Sequence, residues 1–302
     1  RRHHTMKEII EQLLPLWGIE SGHVSQIYSS AWEIDHSYVV KIYHDQEQLE
    51  RNIRLLSILQ HCDIPVAEIL CTKAGETYVT HQNAFFLLSK KLPGSSVTDL
   101  KDKTMAWKMG CAIARLHTAF LRCEQEIAFW DNSFLDEMKG WVRENLNSND
   151  WQLISEAEYL AAVSKLELLY DSLPRQLIHR DVHFGNFLFL DGDFSGYIDF
   201  DLSQKNIRVF DICYFLTGLL AEETAEPFTK TEWLALTRAV TDGYESVTGL
   251  SEAERSAIPC VMQCIEILFA AYFIGSGEIH YANGARDIFH FVQDCEETLT
   301  IL

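Results

Sequence analysis

Basic residues are scarce in this 302-residue chain. Lys and Arg number 25 against 44 Asp and Glu, so the formal net charge at pH 7 is −19. A surface of that sign repels the phosphates of nucleic acids and the headgroups of anionic lipids. We therefore expect neither a nucleic-acid-binding nor a membrane-associated protein, whereas a cationic partner would suit the charge.

Paired cysteines and long apolar runs are also missing. The eight cysteines form no C-x-x-C motif, which argues against a disulfide scaffold and favours reduced thiols in a cytoplasmic protein. The longest apolar run, 267–274, is far shorter than the ~20 residues that cross a bilayer. Glu8 and Glu11 interrupt the first apolar segment, unlike a signal peptide.

The composition is that of a globular protein, with 47% hydrophobic and 23% charged residues, which excludes a disordered or collagen-like chain. The length suggests about two domains or lobes. Strand-like runs with turn signals dominate before Pro93-Gly94, and helical periodicity dominates after it. We predict an α+β protein with a β-rich lobe over residues 1–91 and a mainly helical lobe over 92–302.

The predicted elements follow from apolar periodicity and turn residues. Asp191-Gly192 between two apolar runs predicts a hairpin in the second lobe. The predicted strands are 24–28, 31–34, 38–43, 69–72, 77–80, 85–91, 177–178, 187–190 and 194–198. The predicted helices are 6–17, 49–59, 105–122, 134–146, 151–170, 210–220, 231–247, 253–274 and 286–302.

The most informative segment, 177–203, reads L-I-H-R-D-V-H-F-G-N-F-L-F-L-D-G-D-F-S-G-Y-I-D-F-D-L-S. Asp181 precedes Asn186 by five residues, and Asp199 follows Asn186 by thirteen. This spacing matches the H-R-D-x-x-x-x-N loop and metal-binding Asp of phosphoryl-transfer enzymes. Asp181 is the predicted base for an acceptor hydroxyl. Asn186 and Asp199 offer the oxygen ligands that Mg²⁺ prefers.

A lysine in the first lobe completes this set. Lys41 lies in the predicted strand V-V-K-I-Y, which resembles the strand lysine that positions ATP phosphates in kinases. The joint presence of Lys41, Asp181, Asn186 and Asp199 predicts ATP- and Mg²⁺-dependent chemistry. Metal-dependent phosphatase chemistry would leave Lys41 without a role.

The chain resembles the aminoglycoside phosphotransferase-like kinases, which include choline and homoserine kinases. The segment 85–94 resembles the family's strand-to-hinge segment, and 109–117 resembles the helix that follows it. Asp211 resembles the family's Asp at the start of the helix after the metal site, and we expect it to order the catalytic loop. The resemblance implies a bilobal protein-kinase-like fold, with a small antiparallel N-terminal sheet and a mainly helical C-terminal lobe. It also implies that a glutamate on the next helix holds Lys41. Glu50 is our candidate, in a register that Glu47 and Asn52 flank. The residues implied to face adenine are Ser89, Lys90, Lys91 and Leu92.

Departures from the family's pattern bear on which class of kinase we predict. The family usually has Gly where this chain has Arg180, which we interpret as a local ion-pair partner. No A-P-E sequence follows Asp199, and only 202–210 separates its motif from the next predicted helix. Because a protein kinase needs a longer activation segment there, we predict a small-molecule kinase. A G-x-G-x-x-G motif is also missing, as in many members of the family.

The acceptor site is less well defined by the sequence. His183 lies next to Asp181, Asp201 follows Asp199, and Glu266 interrupts an apolar helix, where a charge needs a partner or a cleft. Glu222, with Glu223 and Glu226, forms either a solvated acidic face or part of a cleft for a cationic substrate.

We predict an enzyme that transfers the γ-phosphate of ATP to a hydroxyl of a small molecule. An aminoglycoside, an amino-alcohol, an amino acid and a sugar all remain compatible acceptors. The alternative is a catalytically silent nucleotide-binding regulator of the same fold. The sequence does not define the oligomeric state.

Overall fold

A computed structural model describes residues 3–20, 22–222 and 226–302. The chain divides into two compact units. The first comprises Arg1–Gly94 together with Ser195–Asp201, and the second comprises Ser95–Phe194 and Leu202–Leu302. These units differ from the predicted lobes 1–91 and 92–302 because seven residues from the middle of the sequence join the first unit.

The first unit is built on an antiparallel sheet of five strands in the order β1-β2-β3-β5-β4. Alternating apolar side chains of the strands pack against α1, and together they form the core of the first unit. Asp35 and His36, both with positive φ, make the tight turn between β2 and β3. The elements are α1 (Met6–Leu13), β1 (Val24–Tyr28), β2 (Ala31–Ile34), β3 (Tyr38–Tyr43), α2 (Gln46–His61), β4 (Val79–His81) and β5 (Ala84–Lys90).

Helix α2 begins at a capped N-terminus, where Asp45 Oδ1 accepts hydrogen bonds from the backbone N–H groups of Glu47 and Gln48. Its buried residues are Leu49, Asn52, Leu55 and Leu59. They recur at three- and four-residue spacing and therefore share one face. Asn52 is the polar member of that inward face.

The second unit is mainly helical, with α9 as its longest helix. By length and composition alone α9 could cross a membrane, but 78% of its most apolar window is buried inside the protein, as in a core helix. The elements are α3 (Lys103–Glu126), α4 (Phe134–Glu137), α5 (Arg143–Ser148), α6 (Glu156–Tyr170), β6 (Arg175–Ile178), β7 (Phe187–Leu190), β8 (Asp193–Tyr197), β9 (Gln204–Ile207), α7 (Phe210–Leu220), α8 (Lys230–Glu245), α9 (Glu252–Ser276), α10 (Ile279–Asp294) and α11 (Glu296–Thr300). The end of β8, from residue 195 onward, belongs to the first unit.

Two short sheets frame the segment that carries the H-R-D motif. β6 pairs with β9, and β7 pairs with β8 across the predicted Asp191-Gly192 turn. The motif lies between the end of β6 and the start of β7, so both of its ends are anchored in strands.

Several elements of the structure differ from the sequence predictions. The predicted strand 69–72 forms only an isolated bridge at Ile69, and the predicted strand 77–80 shortens to β4, which pairs with β5. The polar strand β9 was not predicted, since only its pairing with β6 makes it a strand. The predicted helix 286–302 is two helices, α10 and α11.

Helices α3 and α8 approach so closely that glycine is required on both. A Cβ on Gly110 would lie 2.0 Å from the carbonyl oxygen of Val240, and one on Gly243 would lie 2.0 Å from that of Trp107. Backbone atoms occupy both places, so a methyl group requires the helices to move apart.

Gly110→Ala is therefore expected to lower the free energy of unfolding by about 2 kcal/mol, because the packed helices must shift. The matched control is Gly218→Ala in α7, where a Cβ would meet no described atom within 4 Å. We expect that control to gain ~0.5–1 kcal/mol from helix propensity. Urea unfolding measures both, and equal effects of the two substitutions would contradict the close approach.

Candidate active site

Lys41 lies on β3, the central strand of the first unit. Its side chain is 16% exposed, and its Nζ lies 2.5 Å from Asp201 Oδ2 and 3.7 Å from Asp199 Oδ1. Burial alone would lower the pKa of the ammonium, but Tyr43 and the two carboxylates outweigh it and raise the Lys41 pKa above its usual value. Lys41 is therefore a persistent positive charge, as a phosphate-binding lysine must be.

The prediction that Glu50 holds Lys41 is wrong. Glu50 lies on the exposed face of α2, where its Oε1 accepts a hydrogen bond from Tyr78 OH at 3.0 Å. Asn52 is the residue of α2 that points inward, and its Nδ2 donates to Asp201 Oδ1 at 2.9 Å. Two positions correspond to roughly 200° around a helix, so these two side chains point in nearly opposite directions.

The predicted adenine-contacting residues lie at the end of β5. The backbone N–H groups of Lys90 and Lys91 already donate to the carbonyls of Glu68 and Ser37, each at 2.9 Å, and Ser89 pairs with Val39 in the sheet. The backbone N–H groups of Lys90 and Lys91 are therefore already engaged by other parts of the first unit. The amide of Leu92, in contrast, makes no hydrogen bond within the described residues.

Asp199 follows β8 in the segment that belongs to the first unit. Its φ is +61°, in the left-handed region that non-glycine residues rarely adopt. Its Oδ1 accepts a hydrogen bond from the backbone N–H of Asp201 at 3.2 Å. This turn brings both carboxylates to Lys41, and such backbone conformations concentrate at functional sites.

Asp181, the predicted base, lies in the second unit after β6. Its Oδ1 accepts a hydrogen bond from Tyr214 OH at 2.7 Å. Asn186 Nδ2 donates to the Asp181 backbone carbonyl at 2.9 Å and lies 3.4 Å from Oδ2. The predicted base and one predicted metal ligand are thus neighbours, joined through the amide nitrogen of Asn186.

Tyr214 is a site residue that sequence reasoning missed. Burial and the neighbouring Asp181 raise the pKa of its phenol well above 10, so the hydroxyl stays protonated and donates to the carboxylate. A signal was present, because Tyr214 lies three residues after Asp211 in α7 and therefore on the same side of the helix.

Asp211 orders the catalytic loop, as predicted. Its carboxylate is buried and accepts hydrogen bonds from the backbone N–H groups of His179 at 2.9 Å and Arg180 at 3.0 Å. His117 Nε2 lies 2.7 Å from the same carboxylate, and the other ring nitrogen of His117 lies 2.8 Å from Tyr244 OH. These buried hydrogen bonds fix the backbone at the start of the catalytic loop.

Arg180 is a local ion-pair partner, as predicted. Its Nη2 lies 2.9 Å from Glu137 Oε2, with side chains only 12% and 16% exposed, and its guanidinium lies 4.3 Å from the centroid of the Phe210 ring. Nη1 also donates to Gln204. The φ of Arg180 is +72°, which accounts for glycine at this position in the resembling family.

This conformation gives a sharp comparison between two substitutions of Arg180. Both Arg180→Gly and Arg180→Ala remove the ion pair, but only alanine retains the strain of a positive φ. We expect the glycine variant to be the more stable by ~1 kcal/mol in urea unfolding. An alanine variant of equal or greater stability would contradict the left-handed backbone at this position.

The predicted substrate residues are spread over both units. Asp201 pairs with Lys41, as described above. His183 is half-buried, and its Nδ1 accepts a hydrogen bond from the N–H of Gly185, which caps a single helical turn. Glu222 is exposed at the end of α7, and Glu223 lies outside the described residues.

Glu266 is buried on the face of α9 that packs toward α7. Burial raises the pKa of its carboxyl from 4.5 to about 8, opposed in part by a hydrogen bond with Thr217. A negative charge on Glu266 also raises the Tyr214 pKa, so the two groups sense each other. Glu266 is therefore coupled electrostatically to a residue that touches the predicted base.

Each unit carries one predicted ligand with an oxygen donor of the kind that Mg²⁺ prefers. Asp199 provides a carboxylate that is 28% exposed, and Asn186 provides an amide oxygen, while its nitrogen is engaged by Asp181. Within the described residues no cluster of three or more His, Cys, Asp or Glu side chains could hold a metal.

The chain belongs to the phosphotransferase enzyme family, whose sequence model matches residues 19–250. It is 28% identical over 216 residues to the homoserine kinase of Gluconobacter oxydans, covering 69% of this chain and 64% of that protein. It is 40% identical over 87 residues to the homoserine kinase of Phenylobacterium zucineum, covering 29% of this chain and 25% of that one. The chain thus spans less than two thirds of the length of these curated relatives.

Solved structures confirm the predicted bilobal protein-kinase-like fold. The amicoumacin kinase hAmiN, determined with AMP-PNP and Ca²⁺, aligns with a TM-score of 0.74 at 16% identity, covering 98% of this chain and 94% of that chain. An aminoglycoside phosphotransferase from Alicyclobacillus acidocaldarius aligns with a TM-score of 0.71 at 13% identity, covering 100% and 99%. At these identities the likeness concerns the fold alone.

Proposed function

We propose that this chain is an enzyme that transfers the γ-phosphate of ATP to a hydroxyl of a small molecule with the help of Mg²⁺. The observation that carries the proposal is the setting of Asp181, whose carboxylate is oriented by Tyr214 and adjoined by Asn186. A carboxylate fixed in this way is suited to accept a hydroxyl proton. Membership of the phosphotransferase enzyme family supports the same reaction class.

In the proposed reaction the acceptor oxygen bonds to the γ-phosphorus while the bond from that phosphorus to the β–γ bridging oxygen breaks. ADP leaves with the electron pair, and the hydroxyl proton passes to Asp181. Lys41 would bind phosphate oxygens, and the amide of Leu92 would donate to the adenine ring. Asn186 and Asp199 are the residues that would hold Mg²⁺, which when bound supplies positive charge for the phosphates.

We propose an acceptor that carries a protonated amine as well as a hydroxyl. The net charge of −19 attracts cations. The names of similar proteins agree in this respect, because homoserine and aminopropanol both carry an amine and a hydroxyl. Six of the eight cysteines are buried, which fits the cytoplasmic location that we also propose.

The test is ATP consumption in the presence of Mg²⁺ against separate pools of aminoglycosides, choline, homoserine, pentoses and a basic protein. We expect turnover with one amine-bearing small-molecule pool, none without Mg²⁺, and none in Asp181→Asn. Turnover with the pentoses alone would contradict the amine, and turnover with the basic protein alone would contradict a small-molecule acceptor.

A silent nucleotide-binding regulator would give a different pattern. MgATP would raise the melting temperature of the protein, while no acceptor pool would give turnover above the Asp181→Asn blank. If MgATP neither raised the melting temperature nor was consumed, the proposed nucleotide site would be wrong.

A further inference from the structure

The partner of Lys41 lies in an unexpected part of the chain. The sequence predicts a carboxylate on α2, but the residue of α2 that faces inward is the uncharged Asn52, which is 5% exposed. An amide cannot neutralise an ammonium ion. The nearest negative charge is Asp201, 2.5 Å from Lys41 Nζ and 160 positions later in the sequence.

Asp201 is held at both of its carboxylate oxygens. Oδ2 pairs with Lys41, and Oδ1 accepts a hydrogen bond from Asn52 Nδ2 at 2.9 Å. Gln48 Nε2 donates to the Asp201 backbone carbonyl at 3.3 Å. The side chain and the backbone of Asp201 are both hydrogen-bonded to α2. These bonds fix the direction in which Asp201 presents Oδ2 to Lys41.

The neighbouring contacts agree with a positioning role. Asn52 Nδ2 also lies 3.4 Å from Tyr43 OH, and Lys41 Nζ lies 5.2 Å from the centroid of the Tyr43 ring. Asp199 is farther from Lys41, at 3.7 Å, and its oxygen receives the N–H of Asp201. The two aspartates therefore have different environments, and only Asp201 has both oxygens engaged by groups of the first unit.

We propose that Asp201 is the positioning carboxylate of Lys41 and that Asn52 sets its orientation. In this chain the carboxylate that positions Lys41 therefore comes from Asp201, two residues after the predicted metal ligand Asp199, and not from a glutamate on α2. Asp201 acts on the nucleotide phosphates through Lys41 and does not bind the acceptor, contrary to its place among the predicted substrate residues. This inference rests on the proposed function.

The test is steady-state kinetics of Asp201→Asn with MgATP and with the acceptor found in the panel. We expect the KM for MgATP to rise about tenfold or more and kcat to fall, while the KM for the acceptor stays within twofold. Asp201→Glu should restore part of the MgATP affinity. In a Lys41→Met background Asp201→Asn should change the KM for MgATP little further, because the ammonium group that Asp201 positions is then absent. Asp63→Asn is the matched control, since Asp63 is exposed in the same unit.

A second variant guards against misfolding of the first. Asn52→Ala keeps both charges but removes the bond that orients Asp201, and we expect a several-fold rise in the KM for MgATP alone. A rise in the acceptor KM with an unchanged MgATP KM, in either variant, would overturn the inference. If wild-type protein binds MgATP and Asp201→Asn binds it equally well, only this inference fails. If wild-type protein does not bind MgATP, the proposed function fails and the inference fails with it.

Discussion

Asp181→Asn is expected to reduce kcat about 10³-fold while the protein still folds and binds MgATP. The asparagine is isosteric with the aspartate and can still accept the hydrogen bond from Tyr214 OH, which lies 2.7 Å from Oδ1 in the native site. What it cannot do is accept the proton of the attacking hydroxyl. The measurements are kcat with the acceptor from the panel and the shift of the melting temperature caused by MgATP.

The matched control for this variant is Asp171→Asn, an equal chemical change at an exposed residue that follows α6. We expect its kcat to equal that of the wild-type protein. If Asp181→Asn turned over at the wild-type rate, Asp181 would not be the base. If it lost MgATP binding as well as turnover, the residue would act in binding instead.

Glu266→Gln is expected to stabilise the protein strongly in alkaline solution. The pKa of the buried Glu266 carboxyl is raised from 4.5 to about 8, so between these values the folded protein holds a proton that the unfolded chain has released. The free energy of unfolding of the wild-type protein therefore falls as the pH rises through that window, by roughly 1.4 kcal/mol per pH unit and about 5 kcal/mol in all. The stability is fully present below pH 4.5 and is lost by about pH 8.

Glutamine imitates the protonated carboxyl and has no such loss. We expect Glu266→Gln and wild-type protein to have similar stabilities at pH 5, and the variant to be more stable at pH 8.5. Urea unfolding at the two pH values measures the difference. Glu144→Gln, at an exposed position of α5, should follow the wild-type curve. An equal pH dependence of wild-type protein and Glu266→Gln would show that Glu266 ionises normally.

The strands of the first unit could be predicted well because their signals are local. The predicted bounds of β1, β2 and β3 match the structure, since β-branched and aromatic runs end at residues that form tight turns. β9 could not be predicted, because its polar sequence becomes a strand only by pairing with β6. The predicted helix 151–170 begins instead at Glu156, where the capping box of Ser155 and Glu158 marks the start.

The candidate site divides in the same way. Fixed spacing along the chain predicts Asp181, Asn186 and Asp199 as site residues, and a strand pattern predicts Lys41. The choice of Glu50 failed because a helix has several faces, and the sequence alone did not reveal that Asn52 points inward. Tyr214 was missed because an aromatic residue in an apolar helix normally signals only core packing.

The first unit combines two distant parts of the sequence, which determines the order in which its contacts can form during synthesis. Residues 195–201 belong to that unit, so Asp201 leaves the ribosome long after β3 does. Lys41 and Asp201 are 160 positions apart, which corresponds to roughly 8–30 s of translation at 5–20 residues per second. During that interval the nascent sheet holds its lysine without either carboxylate. A fragment that ends at Gly94 would remain in that state permanently, and the unit therefore cannot be obtained in native form by truncation.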